Sequence, residues 1–144
     1  MPAGEAGGTP GAGRRVITLS AAESWRLLDS ISLGRVVFTI HALPAIRPVN
    51  HLIADDAIII RTHLGAAITA HAGQDGAVVC YEADDLDPVR HTGWSVIATG
   101  TARMLADPDA AAHYRELLEP WAEGDLDHVI IIRPQIITGL RLTT

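Results

Sequence analysis

Ala45-Ile46-Arg47-Pro48-Val49-Asn50-His51-Leu52-Ile53, then Asp55-Asp56, then Ala57-Ile58-Ile59-Ile60-Arg61-Thr62: the reading of this stretch decides the fold. Aliphatic and β-branched residues on either side of an Asp-Asp pair read as two strands joined by a tight turn. A short apolar helix over Leu64–Ala72 follows at once. Hairpin and helix start together bring Arg47, Asn50, Arg61, Thr62 and the first helical N–H groups into one neighbourhood. Guanidinium forks and open helix N–H groups suit an anion, and the surrounding aliphatic residues supply an apolar wall beside it.

Upstream of this hairpin, Ser20 and Glu23 have the spacing of an N-terminal capping box. Trp25, Leu28 and Ile31 give that helix an apolar stripe, with Trp25 read as core. Gly34 ends the segment, Arg35–Ile40 reads as the first strand, and Ala42-Leu43-Pro44 as a turn. Residues 1–15, mostly Gly, Ala and Pro, read as a flexible tail before a single domain over 16–144.

Downstream, Gly76–Glu82 is rich in β-formers, and Asp84–Thr92 is polar and contains the turn signal Asp87-Pro88. The acidic group Asp84, Asp85 and Asp87 reads as a solvated hairpin tip. Gly93–Met104 is the longest strand candidate, and Gly100 within it predicts a bulge or a close backbone approach. Asp107 as N-cap and Pro108 at the first helical position open a second helix, which runs to about Glu119. Asp127–Arg133 and Ile136–Leu142 read as two closing strands separated at Pro134. Tight turns between most strands argue against a parallel βαβ sheet. The expected fold is α+β: a six- or seven-stranded antiparallel barrel-like domain with two longer helices and one short helix.

Composition excludes several functions. The chain has 144 residues, 48% of them apolar, enough for one core or for half of a compact dimer. A net charge of −6 disfavours nucleic acid or an anionic membrane as partner. All 11 basic residues are arginine, so lysine chemistry is absent. Cys80 is the sole cysteine, which fits a reducing cytoplasm and predicts a small buried hydrophobe. No apolar run approaches the ~20 residues of a membrane span. Arg14-Arg15 is followed by Glu23, Arg26 and Asp29 where an export signal needs an apolar segment. Seven histidines form no metal-ligating pattern, no Cys completes one, and no metal is expected. Phosphate-loop, dinucleotide and nucleophile-elbow motifs are missing too. Ser95 has no identifiable base partner, and no catalytic side chain is assigned.

At Arg47-Pro48-Val49-Asn50, Ile60-Arg61-Thr62 and Gly93-Trp94-Ser95-Val96 the chain resembles the pyridoxamine 5′-phosphate oxidase-like, FMN-binding split-barrel superfamily, and within it the branch of nitroimidazole-resistance flavoproteins. The resemblance runs from about Ser20 to Leu142. It implies a split barrel, a homodimer and two flavin sites at the subunit junction. It places Arg47, Pro48, Val49, Asn50, Ile60, Arg61 and Thr62 along the flavin ring and ribityl chain, with Trp94 nearby, and Ala66 and Ala67 at the phosphate. Relatives carry a hydroxyl and a lysine at those last two positions, so this chain departs from the pattern. One lost charge-assisted phosphate contact is worth ~1.5–3 kcal/mol, or roughly 10- to 100-fold in affinity. Arg47 or Arg61 are the candidates to compensate.

The implied activity is an FMN-dependent oxidoreductase that passes hydride to a small electron-poor substrate. Two alternatives keep the fold and change the cofactor: a deazaflavin coenzyme, or haem with His51, His63 or His71 as axial ligand. A third is a dimeric ligand-binding domain without catalysis, which the absent lysine favours.

Overall fold

The computed structural model describes residues 14–70, 72–73, 75–119 and 128–144. Strands β1 (Arg15–Leu19), β2 (Leu33–Ile40), β3 (Leu43–Ala54), β4 (Ala57–Thr62), β5 (Ala77–Asp87), β6 (Thr92–Met104) and β7 (His128–Thr143) alternate with helices α1 (Ala21–Asp29), α2 (Gly65–Ile68) and α3 (Pro108–Leu117). The seven strands form one sheet in the order β1-β7-β4-β3-β2-β5-β6, closed by a further β6–β7 pairing. Every pairing is antiparallel. One edge of β7 pairs with β6 throughout; the other is divided between β4, at 128–132, and β1, at 139–143. This shared strand makes the barrel a split one, as the sequence predicts.

Local chemistry sets the elements. Ser20 Oγ accepts from the Glu23 N–H at 3.1 Å and starts α1, whose Leu27 and Leu28 enter the main core with Trp25 packed beside them. Asp107 accepts from the Asp109 N–H at 3.1 Å and Pro108 opens α3, as expected. Asp55 and Asp56 both take positive φ, which a two-residue hairpin turn requires. The run Ala57–Ile60 is buried on both faces: Ile58 and Ile60 face the barrel interior, while Ala57 and Ile59 join the cluster of Ala111 in α3 and Leu118 just past it.

Five features differ from the sequence reading. Arg15–Leu19 is a strand, so Arg15 belongs to β1 rather than to a tail; residues 1–13 of that tail lie outside the described residues. The expected helix over 64–72 is a single turn. Thr69 ends it, turning its hydroxyl onto the Gly65 carbonyl at 2.8 Å. The turn before β3 is His41-Ala42, both at positive φ, and Leu43 already pairs with Ile40. β5 runs on to Asp87, so Asp84 and Asp85 are strand residues; the turn follows, held by Asp87 Oδ1 accepting from Val89 and Arg90.

The fifth is β7, one strand of 16 residues rather than two. Pro134 cannot donate to a ladder. It sits opposite Gly100, where the register of β6 against β7 shifts, and the Gly100 α-carbon lies against the Arg133 carbonyl with no room for a side chain. The bulge predicted at Gly100 is therefore what lets β7 continue through its proline.

Candidate functional site

Cross-strand register sorts the residues read as a site into two rows. Arg47 pairs with buried Val36, and Val49 with Gly34, so Arg47 and Val49 share the inward row with His51. His51 pairs with Ile60, which puts Thr62 in the same row at the end of β4. Pro48 and Asn50 point the other way. So does Arg61, which lies opposite Val129 in the α3-facing cluster. The convergence of Arg47 and Arg61 expected from the sequence is thus not seen within one chain: the two guanidinium groups leave opposite faces of the sheet.

Each has its own partners. Arg47 is exposed and donates one Nη1 bond to the Ile46 carbonyl at 2.7 Å. Arg61 Nη1 donates to the carbonyls of Arg115 and Leu118, both at 2.8 Å. Asn50 Nδ2 donates to the Glu119 carbonyl at 3.1 Å, beside a cleft of about 320 Å³ between β3 and the end of α3. Arg61 therefore holds carbonyls at the end of α3, which a helix leaves without internal partners, and Asn50 holds the chain two residues past it. The two polar strand residues most ligand-like by sequence have a structural role that no local pattern signals, because their partners at the end of α3 lie more than fifty positions away.

Fewer polar groups remain at the rim between β4 and α2. Thr62 is buried and its hydroxyl accepts from the Leu64 N–H at 3.1 Å, fixing the corner into α2. Gly65 opens α2 against His128: a Cβ there would sit 2.5 Å from the His128 Cβ and 2.9 Å from its Nδ1. That Nδ1 is buried with no hydrogen-bond partner among the described residues. Ala66 is exposed, while Ala67 is half-buried against the core. The rim here consists of backbone groups, a glycine and, on β3, the exposed guanidinium of Arg47. Val49 and Ile60 are buried core residues and would meet a ligand through their backbone. Trp94 is packed into the main core, and Cys80 is half-buried on the outer face rather than fully buried.

Inside the barrel lies a polar relay. The Leu28 carbonyl can only accept, so His51 Nε2 carries the proton and donates to it at 2.8 Å; Nδ1 then accepts from the Tyr81 hydroxyl at 2.5 Å. Burial lowers the His51 pKa from its ordinary value, against the opposing pull of the Leu28 bond, and burial also pushes the Tyr81 phenol up. With both ring nitrogens committed, His51 is withdrawn as an axial haem ligand. His63 is exposed, and His71 lies outside the described residues. Among the described residues no group of three His, Cys, Asp or Glu side chains is placed to hold a metal ion, and no helix is long and apolar enough to cross a membrane.

On the outer face Arg35 Nη1 donates to Glu82 Oε1 at 3.0 Å and to Asp84 Oδ2 at 3.4 Å. Partial burial, then the neighbouring Asp84, pushes the Glu82 carboxyl up to about 7 against the opposing pull of Arg35. The acidic residues form a visible group in the sequence; Arg35, on a strand far from them in the chain, carries no such signal.

Fold and rim together define a split-barrel protein, and the chain belongs to the pyridoxamine 5′-phosphate oxidase family, whose model matches residues 20–141. It is 48% identical over 145 residues to the uncharacterized protein Rv0080 of Mycobacterium tuberculosis, covering 99% of this chain and 95% of that one. A Corynebacterium glutamicum structure assigned as a pyridoxamine 5′-phosphate oxidase superposes with a TM-score of 0.74 at 31% identity, over 90% of this chain and 100% of that one. An FAD-binding protein of Mycobacterium smegmatis superposes with a TM-score of 0.64 at 32% identity, over 88% and 98%.

Proposed function

We propose that this chain is a cytoplasmic, homodimeric flavin-binding oxidoreductase, with FMN as its flavin and a small electron-poor molecule as its substrate. The observation that carries the reading is the placement of Arg47, Val49 and Thr62 in one inward row that ends at the glycine-opened turn of α2. Family membership and the FAD-binding relative support a flavin rather than another anion.

Arg47 would take the phosphate, joined by N–H groups near Thr62 and α2, and the β3 backbone at 47–50 would run beside the ring. A bound flavin supplies two-electron chemistry at its ring. The protein supplies position and an apolar surround. Because Arg61 holds α3 and position 67 is alanine, binding through one chain is expected to be weak.

A second copy of this chain would complete the pocket. The outer face of β3, β2, β5, β6 and β7 exposes Ile46 by 55%, Val78 by 71%, Ile97 by 44% and Ile136 by 62%. A shared apolar face of this kind suits a two-fold dimer.

Fluorescence titration of FMN, FAD and a deazaflavin with purified protein tests the reading. Saturable quenching, strongest for FMN, is expected. Quenching by the deazaflavin alone would move the assignment to that coenzyme. No quenching by any of the three at tens of micromolar would leave a domain without a flavin.

A further inference from the structure

The outer face just described carries charge in its middle. Arg35 on β2 lies directly opposite Glu82 on β5, and Asp84 is two residues on, so all three point to the same side. A single guanidinium nitrogen serves both carboxylates. With both ionised the cluster holds two negative charges against one positive. With one proton on it, the cluster is neutral and the carboxyl can donate to its neighbour.

Among the described residues, the strand neighbours on that side offer no further cation. β6 faces Glu82 with Ile97 and Asp84 with Ser95; β3 faces Arg35 with Pro48; along β5 the next residue on that side is Cys80. The adjoining row crosses the sheet as Ile46, Val37, Cys80, Thr99 and Ile136. A net negative cluster is therefore set into an apolar patch, where covering it with a second copy would bury two such clusters together. Removing an uncompensated charge from water is costly.

We propose that the Arg35–Glu82–Asp84 cluster makes association of two chains proton-dependent, each protomer taking up one proton at Glu82 as the outer faces meet. This rests on the homodimer reading above. The Glu82 carboxyl, already raised to about 7 in the single chain, places the change near neutral pH. Binding that favours the protonated form raises proton affinity further, so the dimer loosens as pH rises.

Sedimentation velocity of the full chain at about pH 6 and about pH 8.5 measures it, with Glu82→Gln as the second protein. The wild type is expected to show a dimer dissociation constant more than ~10-fold higher at the upper pH, and Glu82→Gln, which mimics the protonated carboxyl, is expected to show no such rise. A wild-type dimer equally tight at both pH values overturns the proposal and leaves the dimer reading standing. An equal rise in Glu82→Gln assigns the effect to other groups and also overturns it. A single-chain mass at both pH values ends the dimer reading and this proposal with it.

Discussion

The Tyr81 hydroxyl and His51 Nδ1 meet at 2.5 Å in the barrel interior, with Gly34 packed against the tyrosine ring. The bond joins β3 to β5, and through His51 Nε2 it reaches the end of α1. Tyr81→Phe leaves the His51 acceptor buried without a donor. The expected cost is ~1–3 kcal/mol of stability, read from urea unfolding.

The same histidine sets an acid limit. The folded state disfavours imidazolium, so it binds fewer protons than an unfolded chain whose histidine titrates near 6.5. The stability contributed by neutral His51 is full above that value and falls as pH drops below it. A melting temperature that falls from pH 6.5 toward 5, with the fall reduced in His51→Gln, is the expected result.

Glu82 acts in the opposite sense. Its folded carboxyl is raised from 4.5 to about 7, so its contribution is full below 4.5 and is lost as pH rises through 7. Glu82→Gln should therefore gain on the wild type in melting temperature as pH increases across that window.

Arg61 and Arg47 separate by experiment. Arg61→Ala strips two carbonyls at the end of α3 of their donor and is expected to cost ~1.5–3 kcal/mol, with faster amide exchange in α3. Arg47→Ala touches one exposed bond and should change stability by less than ~0.5 kcal/mol while weakening FMN roughly 10- to 100-fold. Equal loss of FMN binding in both variants, with stability intact, would place Arg61 at the cofactor instead.

Ala67→Lys adds the cation that the resemblance implies beside the phosphate. Position 67 is half-buried beside the core, and a lysine stem can lie along that surface with its charge outward. FMN binding is expected to tighten roughly 10- to 100-fold.

Features set by neighbours in sequence were legible: the Ser20 and Asp107 caps, the Asp55-Asp56 turn, the strand over Arg35–Ile40 and the bulge at Gly100. Features set across the barrel were not. Pro134 looked like a strand break because its partner Gly100 lies on another strand. Asp84 looked like a turn residue because Arg35 is remote in sequence. Arg61 looked like an anion ligand because nothing nearby announces that it caps α3. Alternation within each strand does assign faces, and a register drawn through the Asp55-Asp56 turn separates Arg47 from Arg61 before any side chain is seen.

The absorption spectrum of freshly purified protein, followed by mass spectrometry of whatever dissociates on denaturation, tests the flavin assignment most directly. Flavin bands with a released mass equal to FMN are the predicted result, either as purified or after reconstitution. A colourless protein that takes up none of FMN, FAD or deazaflavin on reconstitution would contradict it.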